Sequence, residues 1–359
     1  MTTLAVNGVT LGFYPDEGDA GGTTSYLSDL NNALALSWPA GHHTMPVPTI
    51  AVVGWYAQTY PGEEFTGFQL MPLVDDITRE HTRCHRRTRF VYEASVMPFQ
   101  SWTGYTPEND IKAKEVAQVM QTMLERSRAG DEFAIAEIRL RFGHEMNYYI
   151  SSGLYPPPTT ADRGWDYRTA FTAVALACRD LAPQYRERIK LFWCPNIAST
   201  SSGAEAEYDT FLPPLEHIDY VGIDYYCPAA GNLDASDFVR KMKRVHDRYA
   251  SKDRPFVLGE TGLQFDPPKE VEMDAKMRWL EVVTGKEARK RLPWMIGLSW
   301  FNYEKDRDYR LLWIKREEAE MNGVFVEWVE QSMRRERKKI EGEQGGSKTK
   351  RFFKTLLAK

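Results

Sequence analysis

The sequence predicts a single (β/α)₈ (TIM) barrel of the α/β class, and three observations carry that prediction. Short apolar runs with strand character recur along the chain, with helical patterns between them. The chain of 359 residues is long enough for one such barrel. Two acidic residues, Glu145 and Glu260, each follow a buried-strand pattern, at the strand end where barrel enzymes gather their reactive side chains.

The strands read in order. Val9 to Tyr14 is the first and Thr49 to Tyr56, rich in β-branched residues, the second. Arg89 to Val96 is the third and Phe133 to Phe142 the fourth. Ile189 to Trp193, Tyr220 to Tyr225, Pro255 to Leu258 and Met295 to Trp300 complete the eight. Between them, Thr106-Pro107-Glu108 reads as a helix start with proline at the first helical position. Val116, Val119, Met120, Met123 and Leu124 follow on one apolar face, and Gly130 marks the end. Trp165 to Leu181 is a helix that Pro183 stops; Phe238, Met242, Val245 and Tyr249 form another stripe; Glu270 to Thr284 runs up to Gly285. Glu145 and Glu260 lie 115 positions apart. That is three strand–helix units of about 38 residues, in keeping with roughly 250 residues for eight units plus insertions.

Composition narrows the function classes. The hydrophobic share of 42% suits a globular enzyme with a large core, and the net charge of −4 gives no general attraction to nucleic acid or membranes. No run reaches the length of a membrane span, and no secretory signal opens the chain, so the expectation is a cytoplasmic protein or a mature secreted form. Cys84, Cys178, Cys194 and Cys227 contain no C-x-x-C pair, which argues for free thiols. Residues 79–89 are locally basic; His81, Cys84 and His85 fit no standard metal spacing, and a solvated helix end is the expectation. From Arg334 the chain is basic again, with Gly345-Gly346 before a short amphipathic patch at Phe352, Phe353, Leu356 and Leu357. Residues 1–333 are therefore assigned to the barrel and 334–359 to a flexible tail.

Several chemistries are excluded. His144-Glu145 opens like H-E-x-x-H, but Tyr148 stands where the second histidine belongs. Dinucleotide and phosphate loops are absent, as is the G-x-S-x-G turn. Neither a metal nor an organic cofactor is called for. A pair of carboxyls is the minimum equipment for cleaving a glycosidic bond: one protonates the leaving oxygen and the other attacks or activates water.

The segment Arg141-Phe142-Gly143-His144-Glu145-Met146-Asn147 resembles the acid/base motif of glycoside hydrolase family 26. The resemblance continues in order through Phe192-Trp193-Cys194-Pro195-Asn196, Asp219 to Tyr226, Gly259-Glu260-Thr261-Gly262, and Trp300-Phe301 with Lys305 and Asp308. It spans roughly residues 9–315. It implies a retaining β-glycoside hydrolase, foremost an endo-β-1,4-mannanase-like enzyme acting on an oligo- or polysaccharide. Other β-glycans (β-1,3-xylan, mixed-linkage glucan) and a non-catalytic carbohydrate-binding relative are the alternatives. In that reading Glu145 is the general acid/base and Glu260 the nucleophile. His144 hydrogen-bonds near the reacting sugar, Asp224 and Tyr226 line the site, and Arg141 keeps Glu260 ionised. Trp300 is the stacking floor. Trp193, Asn147, Asn196 and Glu93 complete the substrate side. After Asn147 the chain departs from the family pattern with Tyr148-Tyr149 and the run Pro156-Pro157-Pro158, which is expected to wall one end of the cleft.

Overall fold

The computed structural model describes residues 2–41, 45–84, 88–198, 203–227, 233–263 and 269–356, with backbone alone at 269–271 and 340–356. Eight parallel strands form the barrel: β1 (Val9–Pro15), β2 (Val52–Thr59), β3 (Phe90–Pro98), β4 (Ile135–Phe142), β5 (Ile189–Trp193), β6 (Tyr220–Asp224), β7 (Phe256–Thr261) and β8 (Met295–Asn302). Each pairs with the next, and β8 pairs with β1, which closes the ring. Most of these strands, β5 and β7 among them, are buried on both faces and read as mostly apolar runs, whereas β4 alternates with Glu137, Arg139 and Arg141.

The helices lie outside. α1 (Leu27–Leu36), α2 (Met71–Arg83), α3 (Ile111–Arg126), α4 (Met146–Ser152) and α5 (Trp165–Arg179) follow the first four strands. α6 (Pro183–Arg186), α7 (Ala204–Thr210), α8 (Ala235–Tyr249), α9 (Lys269–Thr284), α10 (Lys286–Arg291) and α11 (Asn322–Leu356) complete the set. The α8 stripe is the plainest case of amphipathic burial: Phe238, Met242, Val245 and Tyr249 are all buried.

Some boundaries differ from the sequence reading. α3 starts at Ile111, because Thr106 and Asn109 bond to each other in a turn. It ends at Arg126, and Gly130 instead turns a small hairpin between Arg128–Ala129 and Glu132–Phe133. Pro183 opens α6 at its first turn, where a missing N–H costs nothing. β7 continues to Thr261, so Glu260 lies on the strand itself.

The expected division after residue 333 falls inside α11. Its first half is core: Phe325, Val326, Val329 and Met333 are buried, and the Phe325 ring meets Phe13 of β1 at 6.2 Å. Asn322 fixes its start by accepting from the Trp313 N–H and donating to the Trp313 carbonyl. The helical backbone then runs unbroken across Arg334, whose guanidinium pairs with Glu330. The patch expected at Phe352 to Leu357 lies outside the described side chains, and His85 outside the described residues. His81 is buried, with Nδ1 3.1 Å from the Thr88 carbonyl. No disulfide joins Cys84, Cys178, Cys194 or Cys227, and no helix among the described residues is long and apolar enough to cross a membrane.

Candidate active site

Strand parity decides which side chains enter the barrel. On β4, Arg139 and Arg141 point inward, two residues apart. In register with them stand Glu93 and Ser95 on β3, and the interior is thereby stacked in layers. In the lower layer, Arg139 pairs with Glu93 at 3.1 Å, and Ser299 donates to Glu93 at 2.6 Å. Arg141 occupies the layer above, at the C-terminal mouth.

Arg141 is fully buried and organises this mouth. Its guanidinium donates to Glu260 Oε1 at 2.9 Å, to Asp224 Oδ2 at 2.5 Å, and to the Tyr14 hydroxyl at 2.6 Å. The Tyr226 hydroxyl donates to the other oxygen of Glu260 at 2.9 Å, and the Cys194 thiol donates to Asp224 at 3.1 Å. Gly259 makes room for this network: a Cβ there would stand 2.4 Å from the Cys194 sulfur and 2.5 Å from Asp224 Oδ1.

Glu145 arrives by a different route. β4 ends at Phe142, and Gly143 turns the chain through a left-handed conformation with φ of +58°. A side chain at 143 would strike the Tyr167 ring at 2.8 Å. Glu145 itself sits at φ 53°, a strained setting for a non-glycine residue. Its N–H is held by the Cys194 carbonyl at 2.8 Å, and its own carbonyl accepts from the N–H groups of Tyr148 and Tyr149. The Asn196 amide donates to Glu145 Oε1 at 2.6 Å. Asn147 and Asn196 are locked together by two bonds, of 3.0 and 2.9 Å, so this amide is pre-positioned.

Glu145 and Glu260 line one cavity of about 390 Å³, together with His144, Tyr149, Tyr226 and Phe301. Their electrostatics diverge. Burial, reinforced by the charge of Glu260, pushes Glu145 up to about 7. Burial also works against the charged form of Glu260, but Arg141 heads the groups that outweigh it, and this carboxyl is held below its ordinary range. Burial pushes Asp224 up, with Glu260 and Glu145 adding to the rise against the opposing Arg141. His144 Nε2 lies 3.8 Å from Glu260, and burial beside Arg141 lowers its pKa to about 3, which leaves a neutral ring.

Donor atoms of His144, Asp224 and Glu260 lie within 4.8 Å of one another, the spacing of a metal cluster. The Arg141 guanidinium already occupies both carboxylates, so a divalent cation there would meet a like charge.

The structure therefore gathers Glu145, Glu260, Arg141, His144, Asn147, Asn196, Asp224 and Tyr226 at one mouth. Three other expected residues stand elsewhere. Trp300 is 0% exposed and points outward; its indole donates to the Tyr309 carbonyl. The inward residues of β8 are Ser299 and Phe301, so Phe301 and not Trp300 faces the cleft. Trp193 is likewise 0% exposed and packs edge-on against Tyr249 of α8. Glu93 is sealed one layer below the cleft. Of the pair after Asn147, Tyr149 lines the cleft, whereas Tyr148 is 54% exposed beside a neighbouring depression. Pro157 accepts a bond from the Trp102 indole, and Tyr155 anchors the turn to the His144 carbonyl.

Sequence reasoning missed Tyr14, Tyr56, Phe301, Tyr303 and Glu17. Parity counted from Arg141 and Ser299 would have found the strand residues. Glu17 lies in a turn after β1 and carries no such signal.

No protein-family model and no curated protein matches the chain. Solved structures do. GH26C from a Muricauda species aligns over 89% of this chain and 85% of its own, at 13% identity and a TM-score of 0.57. A modular endo-β-1,4-mannanase from Cellulomonas fimi aligns over 87% and 76%, at 15% identity and 0.54. A broad-specificity endoglucanase from Clostridium acetobutylicum aligns over 90% and 99%, at 12% identity and 0.54. The likeness is one of fold: a barrel of the kind found in glycoside hydrolase family 26 mannanases and in related endoglucanases.

Proposed function

We propose that this protein is a retaining β-glycoside hydrolase working by double displacement. One observation carries the reading. Two carboxyls share a single cleft and are driven to opposite protonation states, Glu145 toward the acid and Glu260 toward the carboxylate. A glycosidic bond needs that pair.

Glu260 attacks the anomeric carbon, and Glu145 gives its proton to the departing oxygen. The product is an ester between Glu260 and the sugar. Forming it removes the charge on Glu260, which adds to burial in lifting Glu145. Its pKa then falls, and Glu145 becomes the base that deprotonates the incoming water. Water attacks from the face that the leaving group vacated, so the β configuration is retained. Arg141 and Tyr226 hold Glu260 in its attacking rotamer and receive it again as a leaving carboxylate. Neutral His144 beside Glu260 offers hydrogen bonding without adding charge.

The neighbours in fold include an endo-β-1,4-mannanase, which favours β-1,4-mannan as the substrate. The test is a panel of β-1,4-mannan, mixed-linkage β-glucan and β-1,3-xylan oligosaccharides with the wild type, Glu145→Ala and Glu260→Ala. Glu260→Ala is expected to abolish turnover of every substrate. Glu145→Ala is expected to lose about 10²–10⁴-fold on the oligosaccharides and far less on activated aryl glycosides, whose leaving group needs no proton. Binding without turnover by the wild type would replace this reading with that of a carbohydrate-binding barrel.

A further inference from the structure

The cleft contains a further, half-buried acid that the two-carboxyl mechanism does not use. Glu17 lines the same cavity as Glu145 and Glu260, on the turn that follows β1. The turn is fixed. The Asp16 carboxylate accepts from the N–H of Gly18 at 2.7 Å and from the N–H of Glu304 at 2.8 Å, the latter on the loop after β8. The Asp16 carbonyl accepts from Ser25 at 2.8 Å. The loops after β1 and β8 are thus knitted into one wall.

Glu17 is held in that wall by the Tyr56 N–H, which donates to its Oε1 at 2.8 Å. The Tyr56 ring lies 5.5 Å from that of His144, and His144 approaches Glu260. Tyr56 therefore stands between Glu17 and the His144–Glu260 pair. Beside it, Phe301 and Tyr303 stack at 4.1 Å with an interplanar angle of 3°, and the Lys305 ammonium stands 5.0 Å and 5.1 Å from their centroids. The arrangement offers a carboxyl and an ammonium beside an aromatic pair. Those are an acceptor and a donor on an apolar wall, which a sugar ring carrying vicinal hydroxyls can engage at once.

Ring topology says which sugar this is. Glu145 and Asn196 belong to the β4 and β5 side of the mouth, and β1 and β8 lie diametrically across the barrel. The acid protonates the departing half of the substrate, so that half leaves toward β4 and β5. A second depression of about 410 Å³ lies there, lined by Asn147, Tyr148, Asn196 and Glu207. The half that stays on Glu260 must extend the other way.

Building on the retaining reading above, we infer that Glu17 and Lys305 form a hydroxyl-reading pair for the sugar one unit beyond the cleaved residue on its non-reducing side. This makes them specificity residues, acting on binding and orientation and not on the bond broken. Burial lifts Glu17 to about 8 against the bond from Tyr56, so at neutral pH its carboxyl also carries a proton to donate.

The experiment compares aryl β-glycosides that share a leaving group and carry one or two sugars from the series that the wild type accepts. Glu17→Gln and Lys305→Met are each expected to lower kcat/KM on the disaccharide by about tenfold, the size of one hydrogen bond lost from the bound state. The loss should fall mainly in KM, and rates on the monosaccharide should stay within about threefold. Retained activity on the monosaccharide reports an intact fold. Equal losses on both substrates, or none on either, overturn the inference while leaving the retaining mechanism in place. A wild type inert toward every glycoside overturns both.

Discussion

Arg139 and Arg141 are the same residue on the same strand face, one layer apart, and they end in different chemistry. Arg139 meets Glu93, which is sealed in the barrel with Ser299 as its other partner. Arg141 meets Glu260 and Asp224, and Glu260 opens onto the cleft. The lower cation is shared by Glu93 and Glu137, at 3.1 and 2.9 Å, and neither acid lines the cleft. The upper cation sits among Glu260, Asp224 and, in the same cleft, Glu145, so the acids titrate unequally. A buried cation becomes part of a reactive site when the acids sharing its field line an open cleft.

The widest break in this comparison is expected from removing each cation in turn. Arg141→Met leaves Asp224 and Glu260 buried without their partner. It should cost about 3–5 kcal/mol of stability and also raise the pKa of Glu260. Arg139→Met should cost a similar amount, yet leave the acid limb of the pH–rate profile where it was. Denaturant unfolding alongside kcat/KM against pH separates the two. A displaced acid limb in both variants would mean that the layers are one electrostatic unit.

A second contrast is Trp300 against Phe301, neighbours on β8 facing opposite ways. Trp300→Ala should destabilise by about 3–5 kcal/mol through the cavity it leaves. Phe301→Ala should leave the fold closer to intact and impair turnover. A thermal melt and a rate measurement on each variant check this. The reverse assignment would put the indole in the cleft after all.

That pair also shows how far the sequence can be read. Ile189–Trp193 matches its expected bounds because a parallel strand covered on both faces is a short, mostly apolar run, here broken only by Lys190. The existence of each barrel strand followed from the same constraint. Parity did not: on β8 the inward Ser299 marks it, and the family motif placed Trp300 on the wrong face. Thr106-Pro107 misled for another reason: the same residue types open helices and make turns. Glu145 and Glu260 were legible as acids at strand ends, and His144, Asn196 and Tyr226 through the motifs around them. The opposed charge states were expected too, with Arg141 keeping Glu260 ionised; that the same guanidinium also binds Asp224 on β6 was not. Glu17 was hidden because Pro15-Asp16-Glu17-Gly18 reads only as a turn.

A smaller effect sharpens the account of Glu145. The Asn196 amide stabilises its charged form. Asn196→Ala should therefore raise the pKa of Glu145 further. Activity requires the protonated acid and is lost as pH rises through about 7, so the alkaline limb should move to higher pH. The acid limb, set by protonation of Glu260 below its ordinary range, should stay in place. An alkaline limb moved to lower pH would show that the amide does not act on the acid.

The central claim is that Glu260 forms a covalent bond to the sugar. Incubating the protein with 2-deoxy-2-fluoro-β-glycosides bearing a good leaving group slows the second displacement and traps the ester. Intact-mass spectrometry should show one added fluorosugar, and peptide mapping should place it on Glu260, with none formed by Glu260→Ala. An adduct on another residue, or turnover with inverted configuration and no adduct, would contradict the account.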